Sequence, residues 1–222
     1  MEDQLYYTMF EDRLVKEMLK ICTDAGMLEG ILLRSDDIDL KWKELAPEYM
    51  ADGVKEMLKI CSDAGMLEGI LLRSDDIDLK WKELAPEYIA DGVKEIAAYP
   101  TVSVAWAGYI GLAVACLWNR DWNKLKDQPY SVLLGPNGFD DMDDHIMKDI
   151  LGLLPDGKQA QQITAVMQSC AQTAVTFIRQ EHIEPQSKRA FYVYARAVQV
   201  MFSIGAAIEL HRLGYEMKKL SN

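Results

Sequence analysis

Apolar positions along the chain recur at intervals of three and four residues, which is the spacing of one helical face, and no stretch of alternating period competes with it. Leu5, Met9, Leu14, Met18, Ile21 and Cys22 fall near one face of a first helix, and Asp24, Ala25 and Gly26 supply a stop of the C-cap kind. Ser35 is placed to cap a second helix, with Asp36, Asp37 and Asp39 in its first turn, where unpaired backbone N–H groups and the helix dipole favour negative charge. Ile38, Trp42, Leu45 and Tyr49 mark its inward face. Pro47 lacks an N–H, so it should kink or end that helix, or open a new one that runs on through PEYMADGVKE.

The same pattern then returns almost letter for letter. Val15 to Gly53 and Val54 to Gly92 are consecutive blocks of 39 residues that differ only at Thr23 against Ser62 and at Met50 against Ile89. VKE occurs at Val15, Val54 and Val93, after DRL the first time and after ADG the other two, and before IAAYP only at the last. An ancestor with two VKE sites, recombining unequally between them, leaves this signature. The implied parent has 222 minus 39, or 183, residues. Its product would carry a hybrid helix from about Pro47 to Cys61. A solenoid of helix pairs is the rival. Natural solenoid repeats share a sparse pattern, however, and the remaining residues hold no third copy.

Downstream, Ile96 to Trp118 has no charged residue. A run of that length invites a membrane reading. Pro100, Thr101 and Ser103, small residues at Ala107, Gly111 and Ala115, and flanks of mixed sign favour instead a central helix buried on all sides. NRDWNKLKDQPYSVLLGPNG is rich in turn formers and is expected to be irregular. FDDMDDHIMKDILGLL reads as a short helix. The GKQAQQITAVMQSCAQTAVTFIRQ stretch is a long one, with Ile163, Met167, Cys170, Ala174 and Phe177 inward. A last helix, from about Gln186 to Leu213, turns Phe191, Ala195, Val198, Phe202 and Gly205 to the core. The expected fold is all-α, a helical bundle forming a single domain over residues 1–222, with 15–53 and 54–92 as the duplicated unit within it.

Composition narrows the partners. Half the residues are apolar, enough for a substantial core, and the net charge is −11, which argues against nucleic acid and against anionic membrane surfaces. Each block carries five Lys or Arg and nine Asp or Glu, so the pair supplies −8 of the −11. MEDQLYYTMFEDR has acidic residues where a secretory signal needs basic ones. Cys22, Cys61, Cys116 and Cys170 show no CxxC spacing and are expected as reduced, mostly buried thiols of a cytoplasmic protein.

Chemistry is sparse. In DDMDDHIMKD, helical spacing sets Asp141 and His145 one turn apart, and likewise His145 and Asp149, so oxygen and imidazole ligands could converge on a divalent cation. Asp141, Asp144 and His145 are the candidate metal ligands; dipole-driven crowding of aspartates in a first helical turn is the plainer account. His182 and His211 sit in no catalytic pattern. Arg196, in the otherwise uncharged run FYVYARAVQVMFSIGAA, is either a buried anion-binding guanidinium or part of an exposed polar face with Gln199 and Ser203. The tryptophans Trp81, Trp106, Trp118 and Trp122, with Tyr192 and Tyr194, could line a pocket or pack a core. No nucleophile elbow, phosphate loop or dinucleotide fingerprint occurs, and no cofactor is expected. The chain reads as a non-enzymatic helical protein that acts by binding another protein or by self-association. The alternative is a small-molecule or metal-dependent activity around Asp141, Asp144 and His145.

Overall fold

A computed structural model describes residues 56, 57, 59–61, 63–66, 74–180 and 188–215. Block 15–53, His182 and the side chains of Phe177, Phe191, Tyr192 and Arg196 lie outside the described part, and with them the readings made on those residues. Among the described residues the regular elements are all helical, with no strand, and Gly135 and Gly138 make an isolated antiparallel bridge. The all-α expectation holds for this part of the chain.

Helical residues at 56, 57, 59–61 and 63 lead into a turn at Gly65, whose φ of +68° suits glycine. Helix α1 (Asp75–Glu95) begins after an extended Ser74 and carries Asp75, Asp76 and Asp78 in its first turn. It does not stop at Pro86. Proline there forfeits one backbone hydrogen bond, but Leu84 and Tyr88 on either side of it are 2% and 0% exposed, and their packing holds the helix through the defect. The chain then turns at residues 96–98, and Pro100 takes the N-terminal position of the next helix, where its missing N–H is not needed.

Helix α2 (Pro100–Leu125) is buried on every side from Ser103 to Cys116 and kinks at Asp121, whose backbone is extended. It continues past Trp118 into a stretch that the sequence suggested would be irregular. Short 3-10 turns follow at Tyr130–Leu133 and Phe139–Asp141. Helix α3 (Met142–His145) widens directly into a π-helical turn at Ile146–Ile150. Helices α4 (Lys158–Gln180) and α5 (Lys188–Arg212) are the last of the described helices. Ile163, Met167, Cys170 and Ala174 of α4 are all buried, as the spacing of that segment implied.

Helices α2 and α5 touch backbone to backbone. A Cβ on Gly111 would strike the Phe202 carbonyl oxygen and come within 2.7 Å of the Ala206 nitrogen, and one on Gly205 would strike the Gly108 carbonyl. Two absent side chains therefore set the spacing of the two central helices. The segments Pro100–Lys124 and Val193–Arg212 are each long and apolar enough to cross a membrane, and 78% and 82% of their apolar windows are covered by the rest of the fold.

Candidate functional site

The acidic cluster after Gly138 is ordered by local bonds. Gly138, at φ +78°, reverses the chain so that the backbone N–H and side-chain amide of Asn137 donate to one Asp141 oxygen, at 3.1 and 2.5 Å. His145 is pinned through both ring nitrogens: Nδ1 lies 2.8 Å from Asp149 Oδ2, and Nε2 lies 3.1 Å from the Val132 carbonyl. The spacing brought Asp149 to His145, whereas Asp141 faces Asn137 and Asp144 is exposed. Among the described residues no group of three or more His, Cys, Asp or Glu is placed to hold a metal ion. Partial burial raises the Asp143 carboxyl above its ordinary value.

A more extensive constellation joins the second block to the rest of the fold. Met57 and Cys61 are fully buried against α4, where Cys170 Sγ stands 3.6 Å from both the Met57 carbonyl and Cys61 Sγ, and Gln162 donates to the Ala64 carbonyl at 2.7 Å. On α1, Ile77, Trp81, Leu84, Tyr88, Ile89 and Val93 form one buried face. Trp81 stacks on Phe202 of α5, and Tyr88 meets Phe139 at a ring distance of 6.1 Å. Tyr88 and Tyr194 both donate to the Ser103 carbonyl, at 2.5 and 3.2 Å. Lys80 is only 6% exposed; its ammonium donates to the carbonyls of Lys126 and Gln128, at 2.6 and 2.8 Å, and to Glu83. It thereby closes the C-terminal end of α2, where carbonyls lack helical partners. Trp118 Nε1 donates to Asp76 at 3.0 Å.

Of these anchors only Ile89 is changed 39 positions earlier, to Met50; Met18, Cys22, Asp37, Ile38, Lys41, Trp42, Leu45 and Tyr49 stand for Met57, Cys61, Asp76, Ile77, Lys80, Trp81, Leu84 and Tyr88. Beside the seat, Asp75, Asp78, Leu79, Trp81 and Lys82 of α1 and Gln199 and Ser203 of α5 line a surface cleft, where Leu79 is 51% exposed.

Two polar sites escaped sequence reasoning. Glu209 is fully buried and takes a two-pronged contact from Arg212, with Nε and Nη2 each 2.6 Å from a carboxylate oxygen. The i,i+3 spacing in ELHR was a usable signal for it. Close by, Cys116 Sγ and the Arg120 guanidinium both donate to the Ile150 carbonyl, which the π turn leaves free. Lys80 gave no signal, because the carbonyls it binds lie 46 and 48 positions away. Trp106 packs edge-on against Phe139 at 4.4 Å and Trp81 against Phe202, so these aromatics pack the interior.

Comparison with known protein families, with curated proteins and with solved structures returned no match.

Proposed function

We propose that this protein is a non-enzymatic, all-α binding protein that acts by self-association, using the 39-residue unit as its adhesive element. The observation behind this reading is that the seat on α2, α4 and α5 is filled by residues of the second block, while the first block carries the same anchoring side chains apart from Met50 in place of Ile89. Burial of each large apolar side chain is worth about 1.5–3 kcal/mol, so a second set of Trp, Ile, Leu and Tyr anchors favours any surface that will take it. First blocks of two chains meeting around a two-fold axis would supply that surface to each other. We read the repeat itself as the product of unequal recombination within a helical bundle, because VKE stands at each breakpoint. The lack of CxxC spacing among the four cysteines supports a cytoplasmic setting. The charge of −11 opposes nucleic acid as a partner.

Sedimentation at micromolar concentration tests the reading. The full chain is expected to associate and the 183-residue chain lacking 15–53 to run as a folded monomer. A full chain that is monomeric over the whole range, or a shortened chain that associates equally, refutes it.

A further inference from the structure

We propose that Cys61 and Cys170 are a reversible disulfide site that fastens the segment 56–66 to helix α4. The two sulfurs are 3.6 Å apart and fully buried, on elements separated by 109 positions in the chain. A bond of about 2.05 Å requires the sulfurs to close by about 1.5 Å, within the reach of rotation about the two Cα–Cβ bonds and a small shift of a short segment. Cys116, the other described thiol, points to the Ile150 carbonyl and takes no part.

The chemistry has an order. The contact with Cys170 holds the Cys61 thiol below its ordinary value, and the contact with Cys61 together with burial holds the Cys170 thiol above it. Cys61 is thus the nucleophile and Cys170 the resolving thiol. The oxidant is a low-molecular-weight disulfide. The Cys61 thiolate attacks one sulfur of that disulfide and expels a thiolate, leaving a mixed disulfide on Cys61. Cys170, as its thiolate, then attacks Cys61 Sγ and expels the second thiolate. The two protons lost by the protein end on the two departing thiols, and one disulfide bond has been exchanged for another. Both sulfurs are covered, so the first attack requires the segment 56–66 to lift. Among the described residues of that segment, Met57 and Cys61 meet Cys170 of α4, and Ala64 accepts a hydrogen bond from Gln162. The closed bond would tie the second block to its seat under oxidising conditions and free it under reducing ones.

The full chain, reduced and then equilibrated with oxidised glutathione, is digested without reductant after its free thiols are alkylated, and the linked peptides are mapped by mass spectrometry. The expected product is an intramolecular Cys61–Cys170 link, with Cys22 and Cys116 alkylated and a rise in Tm that dithiothreitol reverses. Cys170→Ala should abolish both the link and the Tm change, and Cys116→Ala neither. Alkylation of Cys61 and Cys170 after equilibration overturns the proposal. A glutathione adduct that stays on Cys61, or a link from Cys170 to Cys22, does so as well. The wild-type map decides the matter by itself if a variant fails to fold.

Discussion

Trp81 lies nearly flat against Phe202, with ring centroids 4.6 Å apart and planes 22° from parallel, and this contact joins the second repeat block to the last helix. Trp81 is 6% exposed. Replacing a buried tryptophan by alanine removes its transfer energy and leaves a cavity. Trp81→Ala is expected to lower stability by about 3–5 kcal/mol. Trp42→Ala, the same change in the first block, should leave the unfolding midpoint in place and weaken association instead. Urea unfolding and sedimentation of both variants check this; equal loss of stability in the two would contradict it.

The glycines between α2 and α5 are not equivalent. A Cβ on Gly205 meets the Gly108 carbonyl, which is backbone and cannot yield, whereas a Cβ on Gly108 meets chiefly the flexible sulfur end of Met167. Gly205→Ala should therefore destabilise by about 3 kcal/mol, near the upper end of ordinary overpacking. Gly108→Ala should be close to neutral, because alanine's helix preference of about 1 kcal/mol offsets the repacking. Thermal unfolding of the two variants measures the difference.

Glu209 is fully enclosed, whereas a quarter of its partner Arg212's side chain reaches solvent. Removal of one charge is thus worse than removal of the other. Arg212→Met strands a buried carboxylate and is expected to cost about 3–5 kcal/mol. Glu209→Gln leaves a guanidinium that can turn outward, so its loss should be markedly smaller. Denaturant midpoints for the two variants, measured side by side, report the asymmetry.

High pH should unfold the protein through its interior phenols. Burial pushes Tyr109 up to about 12 from an ordinary value of 10.0, and it raises Tyr88, Tyr130 and Tyr194 as well. In the unfolded chain these groups ionise near pH 10, while the folded protein keeps their protons, so above pH 10 the unfolded state binds fewer protons. Stability is fully present below that point and falls as the pH climbs towards 12 and beyond. Circular dichroism and tyrosinate absorbance, followed together, should show the buried phenols ionising in step with loss of helix. Free titration of all ten tyrosines near pH 10 without unfolding would contradict this.

Helical periodicity alone determined much of this protein. The inward stripe of α4, the buried stretch of α2 and the inward positions Val198, Phe202 and Gly205 of α5 follow from apolar spacing, because a helix fixes which side chains share a face. The repeat, too, is a property of the letters. The sequence also set His145 one turn from both Asp141 and Asp149, but it could not say that Asn137 would hold Asp141 while Asp149 took the imidazole. Tertiary structure decided the rest, because facing positions on different helices are related by packing and not by spacing. Packing carried α1 through Pro86, set Lys80 on carbonyls 46 and 48 positions away, and laid Gly205 on Gly108. It also brought Cys61 within 3.6 Å of Cys170, although Cys61 and Cys22 differ in the repeat only by Ser62 against Thr23 beside them. Two blocks with the same anchors carry the same local instructions. Which of them fills the seat is settled by the helices that form it and by how the chain runs on from Gly92 into α2.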